Sequence, residues 1–466
     1  MATTTVSIGS NQSIDTETPA TSSGSGPLYT VTFGTTPTGI HVGDIGFMDT
    51  EDAGGGNASD YTFLVTGISG DDITLKYLTD TTSKGDASPL GLYDGSGSSG
   101  SPNQAAMVFK RAFSTITLFE AMVDDASPDY WGSSDDVVGE LHADSNFTDA
   151  TVNFDNKQSL SSVTLSVYED DRHDGTAESG ALWKPTSGSG HNQGIIRINI
   201  DNMTVEWLDI SFDSLDSTNS NKAIVLAGTN DDNIIRNNLI HDKDGNPGSN
   251  GAFMIHVIGA GISTDTLTIQ NNIIYNVVET NNDNSMAINT NQWAGTANIY
   301  NNTIYNVDAQ GTSKQTWGIV YGNVASAVIN IKNNIVAKMV ADGVGSNERA
   351  YQKFNASSTE NASNNLSDDT TTTAAYKAPG TDSLQDQTLA EIDFVSTTAG
   401  SEDLHLGASS VCLKAGVDLG TTNDVNIDID GLDRDATGVT WDIGADQKST
   451  ADSGSAGKAF LIFLDI

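Results

Sequence analysis

Two aspartates occupy a recurring place in this chain. Four residues after the second Asn of a repeated Asn-Asn pair stand Asp242, Asn276, Asn306, Lys338 and Asp369, and the first copy of the phrase ends on Asp213. Two carboxylates about 5 to 10 Å apart can cleave a glycosidic bond as acid and nucleophile or acid and base. The same oxygens can hold a hard cation. Asp213 and Asp242 are the pair this pattern offers; the plainer reading of the column is an Asn/Asp turn ladder. A second acidic group, Asp428, Asp430, Asp433 and Asp435, has the look of a calcium loop but lacks the bidentate Glu that closes one. Calcium is thus the only cofactor with a candidate site, and none is required. Tyr275 and Tyr305 share a position three after the marker, with Phe212 and His241 in the neighbouring copies. Such a column of rings is either a sugar platform or a packed ridge. Gly95-x-Gly97-x-x-Gly100 matches the dinucleotide fingerprint, but it follows no βα unit and sits among serines, so it reads as a linker. His173, in the charged stretch 169–174, reads as part of a solvated turn.

The elements that would position these residues come from the repeat itself. The markers Asn238, Asn272, Asn302, Asn334 and Asn365 stand 34, 30, 32 and 31 residues apart. A period of this size signals a stacked architecture. Each copy alternates apolar and polar residues and is rich in β-branched side chains, and a second β-rich piece lies between copies. Short strands with no intervening helix fit one turn of a parallel β-helix, in which each strand pairs with its counterpart one coil away. Equivalent residues then form columns ~4.8 Å apart. Uniform alternation makes Ile235, Ile269, Ile299 and Ile331 one core ladder and Leu239, Ile273, Thr303 and Ile335 another. Between them Asn237, Asn271, Asn301, Asn333 and Asn364 share the inward parity, where stacked amides can satisfy one another and the bending backbone.

The coil phrase resembles the right-handed parallel β-helix proteins, the pectate-lyase-like architecture with its Asn ladders. Helix 109–125 followed by Gly139-Glu140-Leu141, by 163–170 and by Leu182-Trp183-Lys184-Pro185 resembles the entry of many phage and bacterial β-helix proteins. Asp403-Leu404-His405-Leu406, Lys414-Ala415-Gly416 and the stretch 430–446 resemble their closing segment. Residues 42–49 with 63–78 look like small β domains of tailed-phage structural proteins. These resemblances imply the fold more than an activity. Pectate-lyase-like enzymes use a basic residue beside acidic calcium ligands, and Arg197 and Arg236 lack clustered acids at matching coil positions. Polygalacturonase-like phrases are approached by Asn289-Thr290-Asn291 and Gly190-His191-Asn192, which depart at the acids and at the closing glycine.

The expected fold is therefore all-β. A small β domain spans 1–93 and a Gly/Ser linker spans 94–108. A parallel β-helix of about ten coils, on the order of 50 Å long, covers 109–447. A helix over 113–125, with a capping box at Thr117 and Glu120, plugs its open end, and residues 392–447 close it. Residues 448–466 form a linker and an apolar strand, Phe460, Leu461, Ile462, Phe463 and Leu464, suited either to folding back or to donation to a neighbouring subunit.

A formal charge of −40 and a pI near 4.1 exclude phosphate-backbone binding as the main activity and disfavour anionic membranes. One cysteine, Cys412, excludes an internal disulfide framework. The first residues show neither the basic nor the apolar region of a secretory leader. Two function classes compete. The first is a non-enzymatic virion surface protein, a capsid decoration, head fibre or tail fibre, made in the host cytoplasm and partnered by other virion proteins or by its own copies. The second is a tailspike-like polysaccharide lyase or hydrolase acting on a cell-surface glycan. A surface filament subunit is the third.

Overall fold

The computed structural model describes residues 2–448 apart from 12, 18, 26–27, 49–60, 79–106, 125–130, 186–193, 213–221, 229–230, 244–250, 260, 281–282, 311, 342–346, 369–373 and 436–439. Asp213, Asp369, the fingerprint glycines, Gly190-His191-Asn192 and the apolar tail lie outside the described residues.

Three parallel sheets wind into a right-handed β-helix. Sheet 1 has nine strands, from Thr3–Ile8 and Asp136–Leu141 to Thr359–Ser363. Sheet 2 has seven, from Val152–Phe154 to Asn347–Lys353, and sheet 3 has eight, from Leu182–Trp183 to Leu384–Gln387. From Met203 to Lys353 the chain completes five successive coils, each giving one strand to every sheet. Nine rungs at ~4.8 Å make a rod of about 40 Å, shorter than the repeat count implied.

The interior is built from aliphatic columns. In sheet 1, Leu165, Val205, Ile235, Ile269, Ile299 and Ile331 lie in register. Sheet 3 contributes Ile210, Ile240, Ile274, Ile304 and Val336, and sheet 2 contributes Ile196, Ile224, Ile255, Ile288 and Ile319. All are buried in one continuous core. Burial of such side chains at roughly 1.5–3 kcal/mol each is the main force holding the coils together.

The second predicted ladder is corrected. Leu239, Ile273 and Ile335 do not line the interior; they belong to a separate core on the outer face of sheet 3. The cause is the backbone of the residue before each marker. Asn237, Asn271, Asn301, Asn333 and Asn364 have φ between 53 and 58°, and one left-handed residue breaks the period-2 alternation. The next residue, not the one after it, then points inward.

The end cap forms as a shorter helix than expected, Ile116–Val123. Its N-cap is Thr115, whose hydroxyl accepts from Leu118 N, while Thr117 Oγ1 donates instead to Asp149. Ile116, Phe119 and Val123 face the core. Column position 139 is glycine, and a Cβ there would sit 2.7 Å from the Phe119 ring. The plug enters where the column omits a side chain.

The N-terminal boundary also moves. Thr3–Ile8 pairs in parallel with Asp136–Leu141 and so belongs to the β-helix. Met107–Lys110, expected at the end of a linker, joins the antiparallel sheet of the small domain beside Asp15–Glu17 and Ile45–Met48. That seven-stranded sheet has its own core around Phe33, Phe63, Val65, Leu75 and Phe109.

Candidate functional site

The side chains that could do chemistry meet on the outer face of sheet 3, under the closing segment. There the register aligns Asp209 with Leu239, and Ser211 with His241, Tyr275, Tyr305 and Ala337. The first copy is thus offset by one residue from the sequence alignment. Asp209 meets Asp242 through His241, and Phe212 lies in the interior core instead of the ring column.

His241 is sandwiched between two carboxylates. Its Nε2 is 2.7 Å from Asp209 Oδ1 and its Nδ1 is 2.8 Å from Asp242 Oδ2. Burial opposes the charged ring, but the hydrogen bonds to Asp209 and Asp242 carry its pKa up to about 9. Burial would likewise raise Asp242; the His241 and Asn276 hydrogen bonds prevail and hold it below the usual carboxylate range. An acid held ionised in this way is a poor proton donor. The Tyr275 ring stacks on His241 at 5.2 Å and 9°, and Tyr305 meets Phe394 edge-on at 5.9 Å. Both tyrosines are 2% exposed, so the ring column is a packed ridge.

Beside this ridge lies a groove of about 780 Å³, lined by Glu178, Asp242, Asn276, Asn306, Lys338 and the 397–403 hairpin. Asp242, Asn276, Asn306 and Lys338 all have φ between 53 and 58°. Asn276 Nδ2 donates at 2.9 Å to both Asp242 Oδ1 and Glu402 Oε1, so those oxygens are at most 5.8 Å apart (2.9 plus 2.9). Asn306 Nδ2 in turn donates to Asn276 Oδ1 at 2.7 Å. Glu402 comes from the closing segment, 160 residues after Asp242 in the sequence, and nothing in the repeat pointed to it. The left-handed residue of the first copy is Trp207 (φ 61°), which places Asp209 in the row of Leu239, one coil from His241.

The two Asn columns do different work. The markers stack inside the coil: Asn238 donates from N and Nδ2 to Asn272 Oδ1 at 3.0 and 2.9 Å, and the pattern repeats through Asn302 and Asn334 to Asn365. The preceding asparagines, predicted to satisfy one another, instead donate outward to the closing segment. Asn364 bonds to Ala415 O, Asn333 to Val417 O, Asn301 to Val425 O, Asn271 to Ile427 O, and Asn237 to Asp428 O. The segment therefore runs down the column as a strap, from the last coil to an early one. Thr303, the polar member of its row, accepts from Ala445 N at 3.0 Å.

The strap is tied by charge as well. Arg236 pairs with Glu206 at 2.7 Å, its register partner one coil away, and with Asp424 from the strap, which corrects the expectation that it lacks acids at matching coil positions. His173 is buried, not solvated, with Nε2 3.0 Å from Asn237 O. The suggested calcium loop does not assemble. Asp428 accepts from Asp430 N, Leu432 N and Gln447 N, Asp433 from Asn426 and Asp435 N, and Asp435 from Trp441 Nε1. Among the described residues, only His405, Asp430 and Asp446 bring ligating atoms within 4.8 Å of one another. His405 there bonds to Asp403 and Asp430; burial opposes its charge, yet these partners push it up to about 11. His405 is thus ion-paired to Asp403 and Asp430, while Asp446 accepts from Leu406 N at 2.7 Å.

The geometry describes a parallel β-solenoid. No protein-family model matches the sequence, and no curated protein matches it. Among solved structures the tailspike protein gp49 from Pseudomonas phage LKA1 is similar, at 13% identity over 80% of this chain and 67% of that chain, with a TM-score of 0.14. At those values the likeness carries no weight for function. No helix among the described residues is long and apolar enough to cross a membrane.

Proposed function

We propose that this chain is a non-enzymatic structural rod of a virion surface, a decoration or fibre protein whose product is shape. One observation carries the reading: the residues with chemical potential are engaged in fastening the closing segment to the coils. Asp242 is ion-paired to His241 and accepts from Asn276, which also donates to Glu402 of the closing segment; the rings are roofed, and the acidic loop is occupied by backbone N–H groups. In this reading the small β domain docks on a particle, the acidic rod projects, and residues 460–464 add a strand to a neighbour, whether another virion protein or a second copy. The test is particle binding by the full chain and by a chain lacking 449–466. Loss of assembly with an unchanged unfolding transition supports the reading; unchanged particle binding removes the strand-donation step.

One observation favours a second reading, a glycan depolymerase. The Asp242 and Glu402 oxygens, at most 5.8 Å apart, are compatible with the roughly 5–5.5 Å spacing of retaining glycosidases and open onto a groove. Turnover of a host surface polysaccharide by the full chain, abolished by Glu402→Gln with particle assembly intact, would establish it over the structural reading.

A further inference from the structure

The small domain meets the first coil through a buried guanidinium. Arg111 follows strand Met107–Lys110 and is 5% exposed. Its Nε and Nη2 donate to the two Asp144 oxygens at 2.9 and 3.0 Å, and its Nη1 donates to both Asp44 oxygens at 3.1 Å. Asp44 belongs to the small domain, and Asp144 follows the first coil strand. Arg111 Nη1 also stands 3.0 Å from His41 Nδ1. A guanidinium nitrogen can only donate, so His41 Nδ1 accepts and carries no proton. The His41 ring packs on Tyr168 at 4.3 Å and on His142 at 4.8 Å, both from the β-helix. His142 is fully buried, with Nδ1 3.2 Å from Asp171; its Nε2 has no hydrogen-bond partner among the described residues. Backbone bonds complete the joint, Ser7 N to Gly43 O at 3.0 Å and Phe113 N to Ser7 O at 3.0 Å. Gly43, at φ 98°, approaches so closely that a Cβ would lie 2.9 Å from Ser7 N.

We propose that this joint is an acid-sensitive latch: protonation of His41 at Nδ1 removes the acceptor used by Arg111, sets a second cation against the guanidinium, and loosens the small domain from the first coil. The groups facing His41 are Arg111, His142, Asp44 and Asp171, beside the Tyr168 ring. Both Asp44 oxygens already accept from Arg111, and one also accepts from His41 N at 2.8 Å. Asp44 Oδ2 stands 3.9 Å from His41 Nδ1, beyond hydrogen-bond reach, so it attracts a protonated ring without replacing the bond lost to Arg111. Burial, His142 and Arg111 together lower the His41 pKa, against the opposing pull of Asp44 and Asp171. A lowered folded pKa makes the joint strongest above pH 6.5 and progressively weaker as the pH falls below it. The ceiling on this weakening is set by the ordinary His pKa of 6.5: at pH 5.0 it is about thirtyfold, from 10 raised to 1.5.

Amide hydrogen exchange of the full chain at pH 7.5 and pH 5.0 tests the latch, each rate being divided by that of the same amide in an unstructured peptide at the same pH to give its protection. The expected result is a drop in protection of residues 39–44 and of Ser7, by at most about thirtyfold, that His41→Gln abolishes while keeping protection at pH 7.5. Gln retains an acceptor and cannot titrate. Unchanged wild-type protection, or the same drop in His41→Gln, would overturn the proposal. If His41→Gln fails to protect the joint at pH 7.5, the wild-type profile decides alone. A loss beginning near pH 6.5 supports the latch, and a loss confined below pH 4 assigns it to Asp44, Asp144 and Asp171 and overturns it.

Discussion

Adjacent asparagines in the same repeat have opposite duties. The marker column, Asn238 to Asn365, lies inside the coil, and each amide from Asn238 to Asn334 bonds to the amide of the next coil and to a backbone carbonyl of the one before, as Asn302 does to Ile269 O at 3.0 Å. The column one residue earlier takes the left-handed conformation and points its amides out to the strap. One column fixes coil to coil; the other fixes a single peripheral segment across many coils. The chemistry of the side chain is identical, so the difference comes from backbone conformation alone. A rod that must not bend benefits from both, because the ladder resists separation of neighbours and the strap resists shear along the whole stack.

Breaking the inner ladder should have the largest effect. Asn302→Ala removes four buried hydrogen bonds, two accepted from Asn272 and two donated to Ile269 and Asn334. At about 1 kcal/mol each the loss is on the order of 4 kcal/mol. Urea unfolding should show a lower midpoint, and any fall in slope would show the stack dividing into two units.

The outer face of sheet 3, through His241, and the strap, through His405, should respond to alkali where the inner ladder does not. The His241 pKa of about 9 exceeds its unfolded value of 6.5, so its contribution is complete below pH 6.5 and is lost as the pH rises through 9. A shift of that size is worth on the order of 3 kcal/mol. His405, held at about 11, contributes in the same direction to higher pH. Stability measured from pH 6.5 to 9 should fall, and His241→Gln should remove its share of the slope while leaving that of His405. The latch has the reverse sign, so acid should loosen the small domain while alkali loosens the outer face of sheet 3 and the strap that covers it.

A smaller effect is expected in the outer column. Asn301→Ala loses the bond to Val425 O and places alanine at φ 53°, together about 2 kcal/mol. Asn301→Gly should recover roughly half, because the conformational part disappears. Amide exchange should locate the damage at residues 423–428 and spare Asn302. The smallest change is Lys338→Asn. Lys338 sits at φ 58° in a column otherwise filled by Asp242, Asn276 and Asn306. Asn should stabilise by about 0.5 kcal/mol in thermal unfolding, the relief of strain being offset in part by loss of the Lys338–Tyr305 contact.

The solenoid was legible because its period, alternation and turn residues are local properties repeated many times. The facing of each column was not, because alternation assumes uniformly extended backbone and Asn237 and its equivalents are left-handed. The clue was present: Ile240, Ile274, Ile304 and Val336 are all aliphatic, whereas the preceding row contains Thr303. The candidate site was mostly illegible. Asp242 was visible from the repeat, but Glu402 and Asp424 reach it and Arg236 from more than 120 residues away, and no spacing rule covers such a distance. The pairing of Thr3–Ile8 with Asp136–Leu141 was hidden for the same reason.

The division of labour between the two columns is tested most directly by amide hydrogen exchange on the intact chain at neutral pH. The ladder amides of Asn272, Asn302 and Asn334 should exchange only through global unfolding, while strap amides such as Gly416, Val417 and Leu406 exchange at least tenfold faster through release of the closing segment alone. Equal protection of the two sets would mean that strap and coils open as one unit, and would contradict the account.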